Sequence, residues 1–342
     1  MKIVKVTIAG FGGVGRSFVK AVAVKQEELA KRYEISIKIV GVADSKGIAI
    51  KRDGFTPYEL MKMVEAPRSG LKDFKPYGRE GTNLDVLLEE TQPDVHVEVT
   101  PSNYETGEPG LSHIKTALNR GIHVVTANKA PLALRFEEIM SIAKTKNAIV
   151  KFGATVMGGS PFISMLSSMR SREVIRIEGI LNATTNYILT LMQEELMEFE
   201  RALREAQAIG VAEPDPSLDI KGLDSAAKLT IVSHLVGYPV RLENIKIEPL
   251  DSVTLRDVVF VAKRGQVLKY VAELDVKKSR AEVAVKALSK GSLLANVKGL
   301  DNGVVIETDV GNVALIGRGG GTLETAHTLL DDVLSLAIEV MR

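Results

Sequence analysis

Residues 2–10, KIVKVTIAG, form a short and nearly continuous apolar run, rich in β-branched side chains, that stops at a glycine. Such a run suits a strand buried on both faces, as happens where helices cover a parallel sheet from either side. The segment FGGVGRS comes next, then a helical stretch to about Arg32, and EISIKIVGVAD reads as a second strand. A strand, a glycine turn and a helix opening a β-α-β pattern leave few topologies available, because such crossovers have a fixed hand.

The alternation continues along the chain. TPYEL at 56–60 starts a helix, with Thr56 as N-cap, Pro57 at the first position and Glu59 closing a capping box. DVHVEVT (94–100), HIKTALNRG (113–121), IHVVTA (122–127), LRFEEIMSIAKTKN (134–147) and AIVKFGA (148–154) extend it. The expected fold is α/β: a Rossmann-type, doubly wound nucleotide-binding domain over residues 1–150, its sheet mostly parallel. After residue 155 the rhythm changes. VIRIEGILNATTNYILTLM starts as a strand and ends as a helix, and two further helical segments flank the loop AEPDPSLDIKG. Short β-like pieces (QVLKYVAEL, AEVAVKAL, GVVIETDV, NVALIGR) precede an amphipathic helix at 322–342. This predicts an α+β catalytic and dimerisation domain over 151–321, with the last helix packing back on the first domain. The length, 342 residues, agrees with two domains at ~150 residues each.

Gly10, Gly12 and Gly15 have the spacing G-x-G-x-x-G directly after the first strand. There the glycines serve a tight turn, a close backbone approach to a pyrophosphate and helix–strand contact, while the helix N-terminus offers free N–H groups. The candidate dinucleotide loop is therefore Gly10, Phe11, Gly12, Gly13, Val14 and Gly15. The second strand ends in Ala43-Asp44-Ser45-Lys46. An acid at Asp44 suits the adenine ribose 2′-OH of NAD, whereas Ser45, Lys46, Lys51 and Arg52 equally suit the 2′-phosphate of NADP. Asp44 also lies about thirty residues past the glycines, beyond the usual ~20.

The segment IKGLDSAAKLTIVSHLVG at 220–237 raises a geometric question. From Leu223 it reads as a helix, and at 100° per residue Asp224, Lys228, Ile231, Val232 and Leu235 share one face, with Ala226, Thr230 and Ser233 opposite. A surface pair four residues apart contributes only ~0.3–0.5 kcal/mol. Burying both charges costs on the order of several kcal/mol per ion. Two charges in an apolar stripe are hard to account for unless that face lines a substrate cleft.

Composition closes other routes. Forty-four basic and forty-three acidic residues leave a net charge of +1, no field for nucleic acid or an anionic membrane. No apolar run approaches the ~20 residues of a membrane span, and the N-terminus lacks a signal peptide's core, so a cytoplasmic protein is expected. The absence of cysteine removes disulfides, thiolate metal sites and thiol nucleophiles. It excludes the phosphorylating semialdehyde dehydrogenases, which need that nucleophile. The five histidines, at 96, 113, 123, 234 and 327, show no metal-ligand spacing. A regulator that senses a dinucleotide without turning it over would need a DNA-binding or partner surface, and the chain shows no basic helix.

AGFGGVGRS, GVADSKG, VTANKAPLA, GATVMGGSP, TTNYILT, AEPDPSLDIKGLDSAAKLTI and LIGRGGG, in this order and at these separations, closely resemble homoserine dehydrogenase. The similarity covers essentially the whole chain. EPDPxxDxxGxDxxxK is its most specific part, and the chain looks like the short form without an aspartate kinase or a regulatory domain. The resemblance implies reversible NAD(P)H-dependent reduction of L-aspartate 4-semialdehyde to L-homoserine, on the route to threonine, isoleucine and methionine, by a homodimer. It implies that Lys228 and Asp224 hold the reacting centre, that Glu213 binds the substrate's amino group, and that Asp219 is the acid in the middle of the proline loop. It also implies that Lys129 of the NK dipeptide and Thr100, beside the nicotinamide, belong to the site. Gly321, closing GRGGG, offers a second backbone approach to the cofactor. Members of the family carry a sodium ion on backbone carbonyls matching Val156, Gly158 and Ser160, commonly with a glutamate ligand where this sequence has Gly153.

Overall fold

The computed structural model describes residues 1–339. The chain forms two compact units, one made of Met1–Gly158 together with the segment from Gly321 onward, the other of Gly159–Gly320.

In the first unit, strand β1 (Lys2–Ala9) buries Val4, Val6, Thr7 and Ile8 completely, so both of its faces are covered. It pairs in parallel with β2 (Ile35–Ala43) on one side and with β5 (Val95–Glu98) on the other. β6 (His123–Thr126) and β7 (Val150–Lys151) continue the parallel set. Two short strands, β3 (Gly47–Ile50) and β4 (Gly78–Glu80), extend the opposite edge in antiparallel fashion, giving the order β4-β3-β2-β1-β5-β6-β7. At four and three residues they are too brief to leave a periodicity in the sequence. The connections diverge to either side between β1 and β5. In an open α/β sheet that switch point forms the ligand crevice at the carboxyl ends of the strands.

The first helix, Gly13–Tyr33, buries Phe18, Val19 and Val22 in a core shared with Ala326, Leu329, Leu330, Val333 and Leu336 of the last helix, Thr322–Glu339. The sequence reading ran that helix to 342; its last three positions lie outside the described residues. The capping box at Thr56 and Glu59 is present at the head of the helix Pro57–Glu65. The stretch expected as a strand over 148–154 is shorter, because Gly153–Thr155 forms a 3₁₀ turn. Asp332 of the last helix accepts the Gly153 N–H at 2.8 Å, and Thr328 Oγ1 donates to the Gly158 carbonyl at 2.6 Å. Those bonds hold the turn in the first unit, so the division falls at Gly158, not at residue 150.

The second unit is α+β. Its sheet has the order β13-β12-β8-β10-β11-β9, formed by β8 (Val174–Ile180), β9 (Lys246–Ile247), β10 (Gln266–Asp275), β11 (Arg280–Ser289), β12 (Asp301–Thr308) and β13 (Gly311–Arg318). All pairs are antiparallel except β9 with β11. β8 leads through Leu181 into the helix Ala183–Glu194, whose N-cap Asn182 accepts the Thr185 N–H through its side chain. Among the described residues no helix is long and apolar enough to cross a membrane.

Candidate active site

In the first unit the chain leaves β1 through Gly10, whose φ of +103° lies in the left-handed region. A Cβ there would sit 2.5 Å from the Val99 carbonyl oxygen, and one on Gly15 would fall 2.1 Å from the Gly10 oxygen. Packing alone requires both glycines. Gly12 differs: it caps the first helix without a side-chain bond, and a Cβ on it would meet no protein atom within 4 Å. No side chain covers the helix N-terminus at Gly12, where the first-turn N–H groups of a helix have no partner within it. Phe11, Gly12 and Gly13 line a hollow together with Arg16, Ala66 and Arg68. Val14 packs against the core from a half-buried position. The Thr322 methyl stands where a Cβ on Gly13 would come within 2.7 Å, which brings the neighbouring Gly321 to the turn.

Asp44 takes a different part from the one its position suggests. Its Oδ1 accepts the backbone N–H groups of Lys46 and Gly47, each at 2.8 Å, and its Oδ2 accepts that of Leu71 at 2.9 Å. The carboxylate closes the β2–β3 turn. Ser45 shares a 2.7 Å hydrogen bond with Ser69.

Thr100 and Lys129 sit at the ends of one hydrogen-bonded ladder at the carboxyl ends of β5 and β6. Glu98, fully buried, accepts the Thr100 N–H at 2.7 Å and the Thr100 hydroxyl through Oε1. Its Oε2 lies 2.7 Å from His113 Nδ1. Asn128 Nδ2 donates to Thr100 Oγ1 at 3.2 Å, Ser102 Oγ donates to Asn128 Oδ1 at 2.9 Å, and the Lys129 N–H reaches Ser102 Oγ at 3.3 Å. Burial pushes His96 down to about 4, so that its ring is neutral beside this cluster.

In the second unit, the helix Leu223–Leu235 follows Gly222 at φ +80°. The sequence placed Ala226, Thr230 and Ser233 on a face opposite the charges; the structure gives that face no solvent. Every residue from Asp224 to Ser233 is buried. Ser233 satisfies its hydroxyl locally, donating to the Thr230 carbonyl at 2.7 Å and accepting the Val240 N–H at 3.0 Å. Lys228 Nζ lies 2.7 Å from Asp224 Oδ2, with the two side chains only 11% and 12% exposed, and donates to the Leu181 carbonyl at 2.6 Å. Asn182 Nδ2 donates to Asp219 Oδ1 at 2.6 Å and to Asp224 Oδ2 at 2.9 Å. Burial, then the charge of Asp224, push the Asp219 carboxyl above its ordinary range, against the pull of Asn182 and Lys228.

The loop before this helix divides its acids. Asp215 caps its own turn through Ser217. Glu213 is exposed, and its carboxylate makes no hydrogen bond or ion pair among the described residues. Glu98 and Asn182 were not singled out in the sequence. Asn182 carries an N-cap signal there, and nothing marks its grip on two distant carboxylates.

The sodium site implied by the resemblance lacks here the carboxylate that commonly completes it. The carbonyls of Gly158 and Ser160 accept from Thr328 Oγ1 and the Phe162 N–H, while Val156 is fully buried. No carboxylate projects from Gly153, and the space a side chain there would enter is taken by Asp332, 3.0 Å from the Cβ position. No group of three or more His, Asp or Glu placed to hold a metal occurs among the described residues.

A glycine turn at the switch point of a doubly wound sheet, and a lysine–carboxylate cluster in an α+β unit, define a nicotinamide-dependent oxidoreductase of small substrates. Residues 161–334 match the homoserine dehydrogenase domain family, and residues 10–152 match the homoserine dehydrogenase NAD-binding domain family. A homoserine dehydrogenase of Methanocaldococcus jannaschii is 39% identical over 336 residues, covering 97% of this chain and 98% of that protein. An NAD(+)-dependent homoserine dehydrogenase of Pseudomonas canavaninivorans is 29% identical, with 97% and 96% covered. A solved hyperthermophilic archaeal homoserine dehydrogenase in complex with NADPH superposes with a TM-score of 0.84 at 30% identity, over 98% of each chain. The chain belongs to the homoserine dehydrogenase family. Its reaction is the reversible NAD(P)H-dependent reduction of L-aspartate 4-semialdehyde to L-homoserine, in threonine, isoleucine and methionine biosynthesis.

Proposed function

We propose that Lys228, oriented by Asp224, protonates the substrate oxygen, and that Asp219 and Glu213 receive the substrate's ammonium group. When bound at the glycine turn, the reduced nicotinamide supplies the hydride. Reduction of the aldehyde develops an alkoxide, which must be neutralised as it forms. Of the three N–H bonds of Lys228, one meets Asp224 and one the Leu181 carbonyl. The third has no acceptor among the described residues and serves the alkoxide. With both carboxylates ionised, as a bound ammonium would favour, they outnumber the one lysine by a negative charge, which suits an amino-acid substrate over a plain aldehyde. The buried 2.7 Å pair of Lys228 and Asp224 carries this reading. Lys129, on the same ladder as Thr100, belongs to the catalytic set in this proposal.

The test is direct. Purified protein with L-homoserine and NAD⁺ or NADP⁺ should form reduced cofactor, read by absorbance; silence with both would remove the assignment. Glu213→Gln should raise the KM for homoserine about ten- to hundredfold, the worth of a charge-assisted hydrogen bond, with little change in the KM for cofactor. The opposite pattern reassigns Glu213.

The cofactor preference proposed is for NADP. Asp44 is spent on three backbone N–H groups, and Arg16 on the carbonyls of Val64 and Pro67, at 2.6 and 3.0 Å. Arg68, exposed in the same hollow and with no hydrogen bond or ion pair among the described residues, is left for a 2′-phosphate. Arg68→Ala should lower kcat/KM for NADP⁺ by roughly tenfold while leaving NAD⁺ nearly untouched. An equal loss with both would return the choice to Asp44. The protein is proposed to work in the cytoplasm as a homodimer without nucleic-acid or membrane partners. β13 supports the dimer as an unpaired sheet edge with Val310 and Ile316 exposed beside it. A monomer mass in sedimentation would contradict this.

A further inference from the structure

We propose that the buried Glu98 fixes the polarity of the Thr100 hydroxyl, so that Thr100 presents only a hydrogen-bond acceptor to the carboxamide NH₂ of the nicotinamide. The inference rests on the reading that Thr100 lies beside that ring. Glu98 does not touch the cofactor; it is a positioning residue.

The geometry of the ladder leaves one consistent set of hydrogen directions. An ionised carboxylate only accepts. Burial by itself would raise the Glu98 carboxyl, but the hydrogen bonds from His113 and Thr100 hold it below the usual carboxylate range. His113 Nδ1, 2.7 Å from Oε2, must then carry a proton and donate it. Thr100 gives Oε1 both its N–H and its hydroxyl. That hydroxyl has a single proton, and Glu98 takes it. The far side of the ladder agrees. Because Ser102 Oγ donates to Asn128 Oδ1, the Asn128 amide turns its NH₂ toward Thr100 Oγ1, which accepts it at 3.2 Å. Ser102 in turn accepts the Lys129 N–H. The hydroxyl protons of Thr100 and Ser102 and one amide hydrogen of Asn128 are thus all committed to Glu98 or along the ladder.

One lone pair of Thr100 Oγ1 remains, on a half-buried residue at the carboxyl end of β5, where a ligand of this sheet is held. A threonine hydroxyl without such a partner rotates and serves as donor or acceptor according to what arrives. Here it is committed. A carboxamide has two faces, an NH₂ that donates and a carbonyl that accepts, and only the first matches. The match selects one rotamer about the bond between the carboxamide and the ring. That selection is the function assigned to Glu98, His113 and Asn128.

Two oxidised cofactor analogues separate the alternatives with the unaltered protein. The 3-acetylpyridine analogue keeps the carbonyl and replaces NH₂ by methyl; the thionicotinamide analogue keeps NH₂ and weakens the acceptor. Dissociation constants from protein fluorescence should rise roughly three- to tenfold for the acetyl analogue, one neutral hydrogen bond, and stay near the parent value for the thio analogue. The reverse order would overturn the proposal. Two variants then distinguish its parts. Thr100→Val should abolish the preference for the parent cofactor over the acetyl analogue; if it does not, Thr100 is not beside the carboxamide and both readings fall. Glu98→Gln turns an NH₂ toward Thr100 and frees the hydroxyl proton to point outward, so the same preference should collapse. A preference lost in Thr100→Val but intact in Glu98→Gln would leave Thr100 in place and sink the polarity assignment alone. Should Glu98→Gln fail to fold, the analogue series on the unaltered protein still decides.

Discussion

Lys228→Ala is expected to lower kcat with L-homoserine by about 10²- to 10⁴-fold, the range for a positioned proton-transfer group. Dissociation constants for NAD⁺ and NADP⁺ should stay within a few-fold of the parent, because Lys228 belongs to the other unit from the glycine turn. The substitution also strands Asp224, and truncating one partner of a buried pair costs on the order of 3–5 kcal/mol. A fall in melting temperature is therefore part of the expectation, and kcat must be read at a temperature where the variant is folded. Asn182 limits the damage, since its amide still donates to Asp224 at 2.9 Å. Turnover that is nearly unchanged in folded protein would remove Lys228 from the mechanism.

The second large effect separates two kinds of glycine. Gly15→Ala puts a methyl 2.1 Å from the Gly10 oxygen, a backbone atom with no side chain to swing away. Either the first helix or the turn must move, so both the melting temperature and cofactor affinity should fall, affinity by roughly tenfold or more. Gly12→Ala should behave otherwise. Its added methyl meets no protein atom within 4 Å, so stability should hold or rise slightly, while the methyl intrudes on a ligand lying against the helix N-terminus. Affinity should fall there without a loss of stability. Identical behaviour of the two variants, in both melting and binding, would show that the turn is structural only.

Local features of this fold could be read before any coordinates. The capping box at Thr56 depends on residues three apart, and it is present. The run from KIVKVTIAG into the glycines states its own burial, and β1 is covered on both faces. Helix Leu223–Leu235 was legible as a helix, and its surroundings were not. A helical wheel assumes one wet face, whereas Thr230 and Ser233 are both buried, and Ser233 satisfies its hydroxyl against backbone. Asp44 shows a similar limit. Its position at the end of β2 suggested a ribose contact, but Gly47 and Leu71 decide where its lone pairs go, and Leu71 belongs to a segment 27 residues away. Glu98 with His113, and Asn182 with Asp219 and Asp224, work through contacts across 15 to 42 positions. No short motif announces partners at such separations.

The last helix supplies side chains to the interior of the unit that opens the chain, and Asp332 and Thr328 pin the turn at 153–158 from it. On a ribosome, then, the nucleotide-binding half cannot finish folding while it is being made. Its sheet emerges early and waits with an uncovered apolar flank until the entire Gly159–Gly320 segment has been translated and the final helix arrives. The flank that Ala326, Leu329 and Val333 cover is therefore the last part of that interior to close, after the portion bearing Lys228 has been made.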